Sequence, residues 1–151
     1  MDPRALRTAF LVLRLFFAQF WLLQFATKLR DAQSGVAALR NLAIWSANVT
    51  DWFVRQTPLP AWVVRPYTLS LPWLELLLGT LLLLGLQTRR ALALSGLLLV
   101  SLCTGMMLQQ KHDVVANNLV FLLATLIALQ LEPQNGWALD RLQRRRARPA
   151  A

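Results

Sequence analysis

Cysteine and histidine are nearly absent from this chain, with one of each, Cys103 and His112, in 151 residues. A lone cysteine excludes an internal disulfide and a cysteine-rich metal site. Set among Ser101, Thr104 and Gly105, it reads as a small buried packing residue. A lone histidine with no adjacent group of cysteines or carboxylates leaves no metal or haem constellation of recognisable spacing. There is no Ser-His-Asp arrangement, no phosphate-cradling glycine loop and no dinucleotide fingerprint. No catalytic residue, metal ligand set or covalently bound cofactor is therefore assigned. The chain is not expected to be a redox enzyme by itself; any electrons would come through a partner's cofactor. Charge is scarce too, at 15% of residues, against about 25% in a soluble domain. Negative charge is the scarcest, with seven acidic residues against sixteen Lys and Arg.

What the chain has in abundance is apolar sequence. Hydrophobic residues make up 56% of it, concentrated in four runs at 8–27, 69–86, 91–108 and 114–131. Each run is about 18 to 20 residues, near the length a helix needs to cross a hydrocarbon core of about 30 Å. A backbone in lipid must satisfy its own hydrogen bonds, so these runs predict helices. The expected fold is an all-α membrane protein, a four-transmembrane-helix bundle forming a single integral domain over 1–151. The first run is too long, and too polar in its second half, for a cleaved signal peptide, and is expected to remain as a span.

The formal charge of +9 does not point to nucleic acid, because the excess lies at the edges of the spans, where Lys and Arg govern orientation. Arg4, Arg7, Arg89 and Arg90 fall on one side of a four-span topology, together with the basic tail at 132–151. Both termini are therefore expected in the cytoplasm of a bacterial plasma (inner) membrane. In the tail, Arg144, Arg145, Arg146 and Arg148 are expected to meet anionic lipid headgroups.

The 28–68 segment then faces outward, and it is more than a linker. From about residue 36 to 55, Leu39, Leu42, Trp45, Val49, Trp52 and Phe53 share one side of a helical wheel. Arg40, Asn41, Asn48, Asp51 and Arg55 share the other, with Ile44 the exception. This predicts an amphipathic helix in the first outer loop, resting on its own bundle, lying flat at the interface or facing a partner. Pro58, Pro60 and Pro66 follow and are expected to forbid a long continuous helix there. Asn48-Val49-Thr50 matches a glycosylation acceptor, read as chance in a chain of bacterial appearance. Gly79, Gly85, Gly96, Ser101 and Gly105 are small residues of the kind that let helix backbones approach in lipid.

Two charges lie inside the runs, Arg14 and Glu75, and each costs at least about 2.5 to 3.5 kcal/mol on insertion scales. Measured from the span centres, Arg14 lies roughly 5 Å to the inner side and Glu75 roughly 7 Å to the outer side. A gap of about 12 Å is near the limit of two outstretched side chains. Direct pairing of Arg14 with Glu75 and snorkelling of Arg14 to the headgroups both stay open. Glu75 is level with a polar set at the outer ends of the other spans: Gln24, Thr27 and Lys28 on the first, Gln109, Gln110, His112 and Asp113 after the third, and Asn117 and Asn118 on the fourth. Such a cluster suits either a structural polar lock between helices or the head of a quinone or lipid, with apolar walls for the tail. In the second case His112 and a desolvated Glu75 are the groups able to pass a proton.

The first span opens Leu11-Val-Leu-Arg14-Leu, and the second runs Glu75-Leu-Leu-Leu-Gly79 to Gly85, then Thr88-Arg89-Arg90. This pattern, with His112-Asp-Val-Val-Ala-Asn117-Asn118 opening the fourth span, resembles the DoxX family of small four-span bacterial membrane proteins. The resemblance implies a subunit placed beside redox enzymes, some of them quinone-linked, and carries Arg14 and Glu75 over as a polar pair. The cysteine-based electron carriers of the related methylamine-utilisation membrane proteins find no counterpart here. The expected function is thus a small integral subunit of a quinone-linked redox complex, anchoring partner proteins and shaping a quinone or lipid site. The alternatives are a non-catalytic assembly or scaffold subunit and, ranked below it, a small solute or proton conductor.

Overall fold

A computed structural model describes residues 2–30 and 35–136, with 35 and 36 given by backbone alone. It is all-α, with five helices: α1 (Pro3–Lys28), α2 (Gly35–Gln56), α3 (Ala61–Leu84), α4 (Thr88–Leu108) and α5 (His112–Leu131). A single 3-10 turn, Glu132–Gln134, follows α5. Four stretches are long and apolar enough to cross a membrane: Pro3–Lys28, Ala61–Leu84, Thr88–Leu108 and His112–Gln134. The chain is therefore a multi-pass membrane protein, with the expected additional helix in its first loop. The basic tail residues Arg144, Arg145, Arg146 and Arg148 lie outside the described residues.

Local chemistry sets the helix ends. Asp2 caps α1: its carboxylate accepts from the Arg4 N–H at 2.9 Å, and Pro3 takes the first helical position, where its missing N–H costs nothing. At the far end of α3, Gly85 adopts φ 67°, and the Leu86 N–H returns to the Leu81 carbonyl at 2.9 Å. This is a Schellman terminus, which favours glycine at the left-handed position. Gly85 therefore ends its helix instead of serving as an internal packing residue. The end of α4 repeats the motif with Lys111 N–H on Met106 carbonyl at 3.0 Å, but Gln110 stands at the left-handed position with φ 57°.

The prolines divide in their effect. Pro58 and Pro60 sit in the break between α2 and α3, as expected. Pro66 does not end a helix; together with Pro72 it lies inside α3, which starts eight residues before the expected span. Each removes one backbone donor, yet the surrounding turns hold. Thr68 and Ser70 hydroxyls donate to the Arg65 and Tyr67 carbonyls at 3.1 and 2.9 Å, not to the Trp62 and Thr68 carbonyls that the two prolines leave without their usual helical donor.

The chain divides into two compact units. One comprises residues 20–77: the end of α1, all of α2 and most of α3. Its α2 folds back along α3 as a helical hairpin, because Ser46 and Thr50 each bond Thr68 at 2.8 Å across the 57–60 turn. The buried stripe of α2 is Leu42, Ser46 and Thr50, while Leu39 is 58% exposed. The apolar wheel thus located the helix but not its seam, which is half hydroxyl.

The other unit comprises residues 2–19 and the described chain from 78 onward. Here α4 packs along α5, with Ser95, Leu99 and Thr125 fully buried. Gly96 stands where an added Cβ would meet the Thr125 methyl at 3.4 Å. Phe16 of α1 stacks on Phe121 of α5, ring centroids 5.9 Å apart. Cys103 is buried in α4, as its small neighbours suggested.

Candidate functional site

Lys28 occupies the last turn of α1, where a cation complements the helix dipole. Its side chain turns inward instead of reaching water. The ammonium donates to both carboxylate oxygens of Glu75, at 2.7 and 2.5 Å, and to the Gln24 carbonyl at 3.0 Å. An ammonium has three protons, and all three are used. Trp45 of α2 covers the group, its ring centroid 4.8 Å from Nζ, within cation–π range. Glu75 is 2% exposed. One ion pair therefore joins three helices: α1 supplies the cation, α3 the anion and α2 the aromatic face.

Above the pair, the α2/α3 seam continues as the Ser46, Thr50 and Thr68 cluster. Thr50 also lies 2.7 Å from the Ser46 carbonyl, and Thr68 3.1 Å from that of Arg65. Three hydroxyl protons serve four short contacts, so at least one proton alternates between acceptors. All three residues are at most 5% exposed. Unit 20–77 thus carries a buried hydroxyl cluster among apolar side chains such as Leu42, Val64 and Leu71.

Arg14 belongs to the other unit and has its own network. Its Nη1 donates to Asn135 Oδ1 at 3.2 Å, and Asn135 Nδ2 donates to Thr88 Oγ1 at 3.1 Å. Arg14, Asn135 and Thr88 are all buried. This chain of bonds fixes the segment after α5 against α1 and the start of α4. Within its own unit each charge has a bonded partner: Glu75 bonds Lys28, and Arg14 bonds Asn135. Arg14 is drawn into this buried network, not extended to solvent.

The remaining expected ligand residues separate by burial. His112 opens α5 and is exposed, as is Asn117; Asn118 is half-buried. Gln109, the last cap of α4, has both side-chain amide atoms buried and without a hydrogen-bond partner among the described residues. None of these four side chains bonds another among the described residues. Nor is any group of three His, Cys, Asp or Glu placed to hold a metal ion among the described residues. Sequence reasoning set Lys28 level with Glu75 without naming it as the partner, and it missed Trp45 and Asn135. A lysine at a helix end also has the ordinary reading of an interfacial anchor.

Residues 6–116 match a family model described as methylamine utilisation protein MauE. The matched stretch runs from α1 to the start of α5 and includes Arg14, Lys28, Trp45 and Glu75. No curated protein and no solved structure matches the chain. The match overturns the resemblance to DoxX. Of the positions that carried that resemblance, Gly85 is a helix terminus. With well over half its length covered, the chain belongs to the MauE family of methylamine utilisation proteins.

Proposed function

We propose that this protein is an integral membrane subunit serving a redox-linked methylamine-utilisation system in assembly and anchoring, with cofactors carried by its partners. The observation that carries the reading is the saturation of the Lys28–Glu75 pair: every ammonium proton and both carboxylate oxygens are engaged inside the protein. A buried ion pair of this kind fixes geometry; an idle carboxylate would be needed to shuttle protons. In this reading both termini lie in the cytoplasm and the α2/α3 hairpin faces outward, where partner domains meet it. Arg4, Arg7, Arg89 and Arg90 on one set of ends support that orientation. Affinity purification in mild detergent tests the reading. Stoichiometric partner proteins are expected with the wild type and loss of them with Glu75→Leu; a chain purifying alone under conditions that preserve its fold would refute it.

A second reading is a quinone or lipid head bound near Gln109. Its support is the buried Gln109 amide, which offers a donor and an acceptor that nothing among the described residues uses. Quinone extracted in stoichiometric amount from the wild type, and lost in Gln109→Leu, would favour it.

A further inference from the structure

Glu75, Trp45 and the Gln24 carbonyl surround one atom, the Lys28 nitrogen, with a complete recognition set for a primary ammonium. Two carboxylate oxygens and one carbonyl accept its three protons at 2.5 to 3.0 Å. An indole ring lies 4.8 Å away on another side. Carboxylate, carbonyl and aromatic face together match the charge, the donor count and the π-affinity of an R–NH3⁺ group. A quaternary ammonium has no protons for the three acceptors. A small alkylamine is protonated near neutrality, as lysine is.

From this geometry we infer that the pocket formed by Glu75, Trp45 and the Gln24 carbonyl is a binding site for the head of a small primary alkylammonium, with Lys28 as its tethered occupant. Lys28 holds the site by proximity: a tethered group competes at an effective concentration in the millimolar range or above. Its place in the final turn of α1 lets its side chain leave without unwinding a helix interior. A free methylammonium would place its nitrogen where Nζ lies and its methyl where Cε lies. The inference does not depend on the assembly role, which rests on partner proteins and is tested by their co-purification.

Chemical rescue tests it. Truncating Lys28→Ala removes the ammonium and three methylenes, a volume that propylammonium fills. The purified variant is melted in detergent with chloride salts of methyl-, ethyl-, propyl- and butylammonium, against tetramethylammonium at equal ionic strength. Stabilisation is expected to rise from methyl to propyl. At ten times its Kd the best ligand shifts the folding equilibrium about elevenfold and the Tm by about 3 °C or more. The double variant Lys28→Ala/Glu75→Gln should not respond, and the wild type, with its site filled, should respond less than Lys28→Ala. If Lys28→Ala is recovered unfolded, propylammonium in the growth medium should restore its folded yield. A melting point or yield indifferent to primary ammonium ions, or a response equal for tetramethylammonium, or one that persists without Glu75, overturns the inference.

Discussion

Lys28 and Glu75 illustrate how little latitude a buried charge has. Removing one partner leaves the other ionisable group buried without its counter-charge. Lys28→Met or Glu75→Leu alone should therefore cost about 3 to 5 kcal/mol, while the two together cost less than their sum. A double-mutant cycle on denaturant unfolding in detergent measures the coupling, and additivity within about 0.5 kcal/mol would show that the pair does not act as a unit. Glu75 was legible in the sequence because a carboxylate in an apolar run demands a reason. Its partner was not, because Lys28 already had one as an anchor at a helix end. Asn135 was illegible for another cause: it lies beyond the last apolar run, where nothing marks a residue as buried. Backbone conformation gives a sharper residue-scale contrast. Gly85 and Gln110 hold the same left-handed position in two Schellman termini. Gly85→Ala should lower stability by about 1 kcal/mol, and Gln110→Gly should raise it by a similar amount. The two Tm values should move in opposite directions; movement in the same direction would contradict the equivalence of the two termini.

At the scale of elements, α2 and α3 hold together through hydroxyl groups where a soluble hairpin would use leucines. In lipid, apolar side chains gain little by leaving the solvent, so packing and interhelical hydrogen bonds carry the association. Thr68 is the centre of the seam, bonded by both Ser46 and Thr50. Thr68→Val keeps the shape and removes the acceptor, and should cost about 0.6 to 1.7 kcal/mol. Ser46→Ala should cost less, since Thr50 and Thr68 retain their contact. Pulse proteolysis in the 57–60 turn reads the loosening directly, with Thr68→Val cleaved faster than wild type if the seam holds the hairpin. The α4/α5 contact obeys a different constraint. At Gly96 an alanine methyl fits at 3.4 Å from Thr125, so Gly96→Ala should be neutral or slightly stabilising. Gly96→Leu should lose about 1 to 3 kcal/mol by overpacking; equal stability of the two variants would mean that the helices are not in close register there. The four spans and the loop helix were readable from hydrophobic period and length. The hairpin was not, because its seam is written in Ser and Thr, which a hydrophobic wheel assigns to the water-facing side. Pro66 misled because proline is better tolerated inside spanning helices than inside soluble ones.

For the whole molecule, membership of the MauE family and the saturated ion pair point the same way. The helices are braced by polar contacts that face inward, and the lone cysteine is buried. On the proposed reading, a protein so arranged contributes shape and position, and its partners carry the reactive groups. Orientation decides which of its surfaces partners can reach. Single cysteines introduced in a Cys103→Ala background, at position 5, position 59 and position 90, give the needed readout. With membrane-impermeant maleimide on intact cells, position 59 in the α2/α3 turn should label, while positions 5 and 90 should label only after the membrane is opened. Labelling of position 5 from outside would reverse the topology and move the hairpin to the cytoplasm, taking the proposed partner surface with it. If the hairpin is outward, the assembly reading makes a further demand. Glu75→Leu should lower the amount of complex recovered while leaving turnover per remaining complex unchanged. A quinone site would give the opposite split, with Gln109→Leu reducing turnover at constant complex. The two outcomes differ because a lock acts on how many assemblies exist, whereas a ligand site acts on what each assembly does.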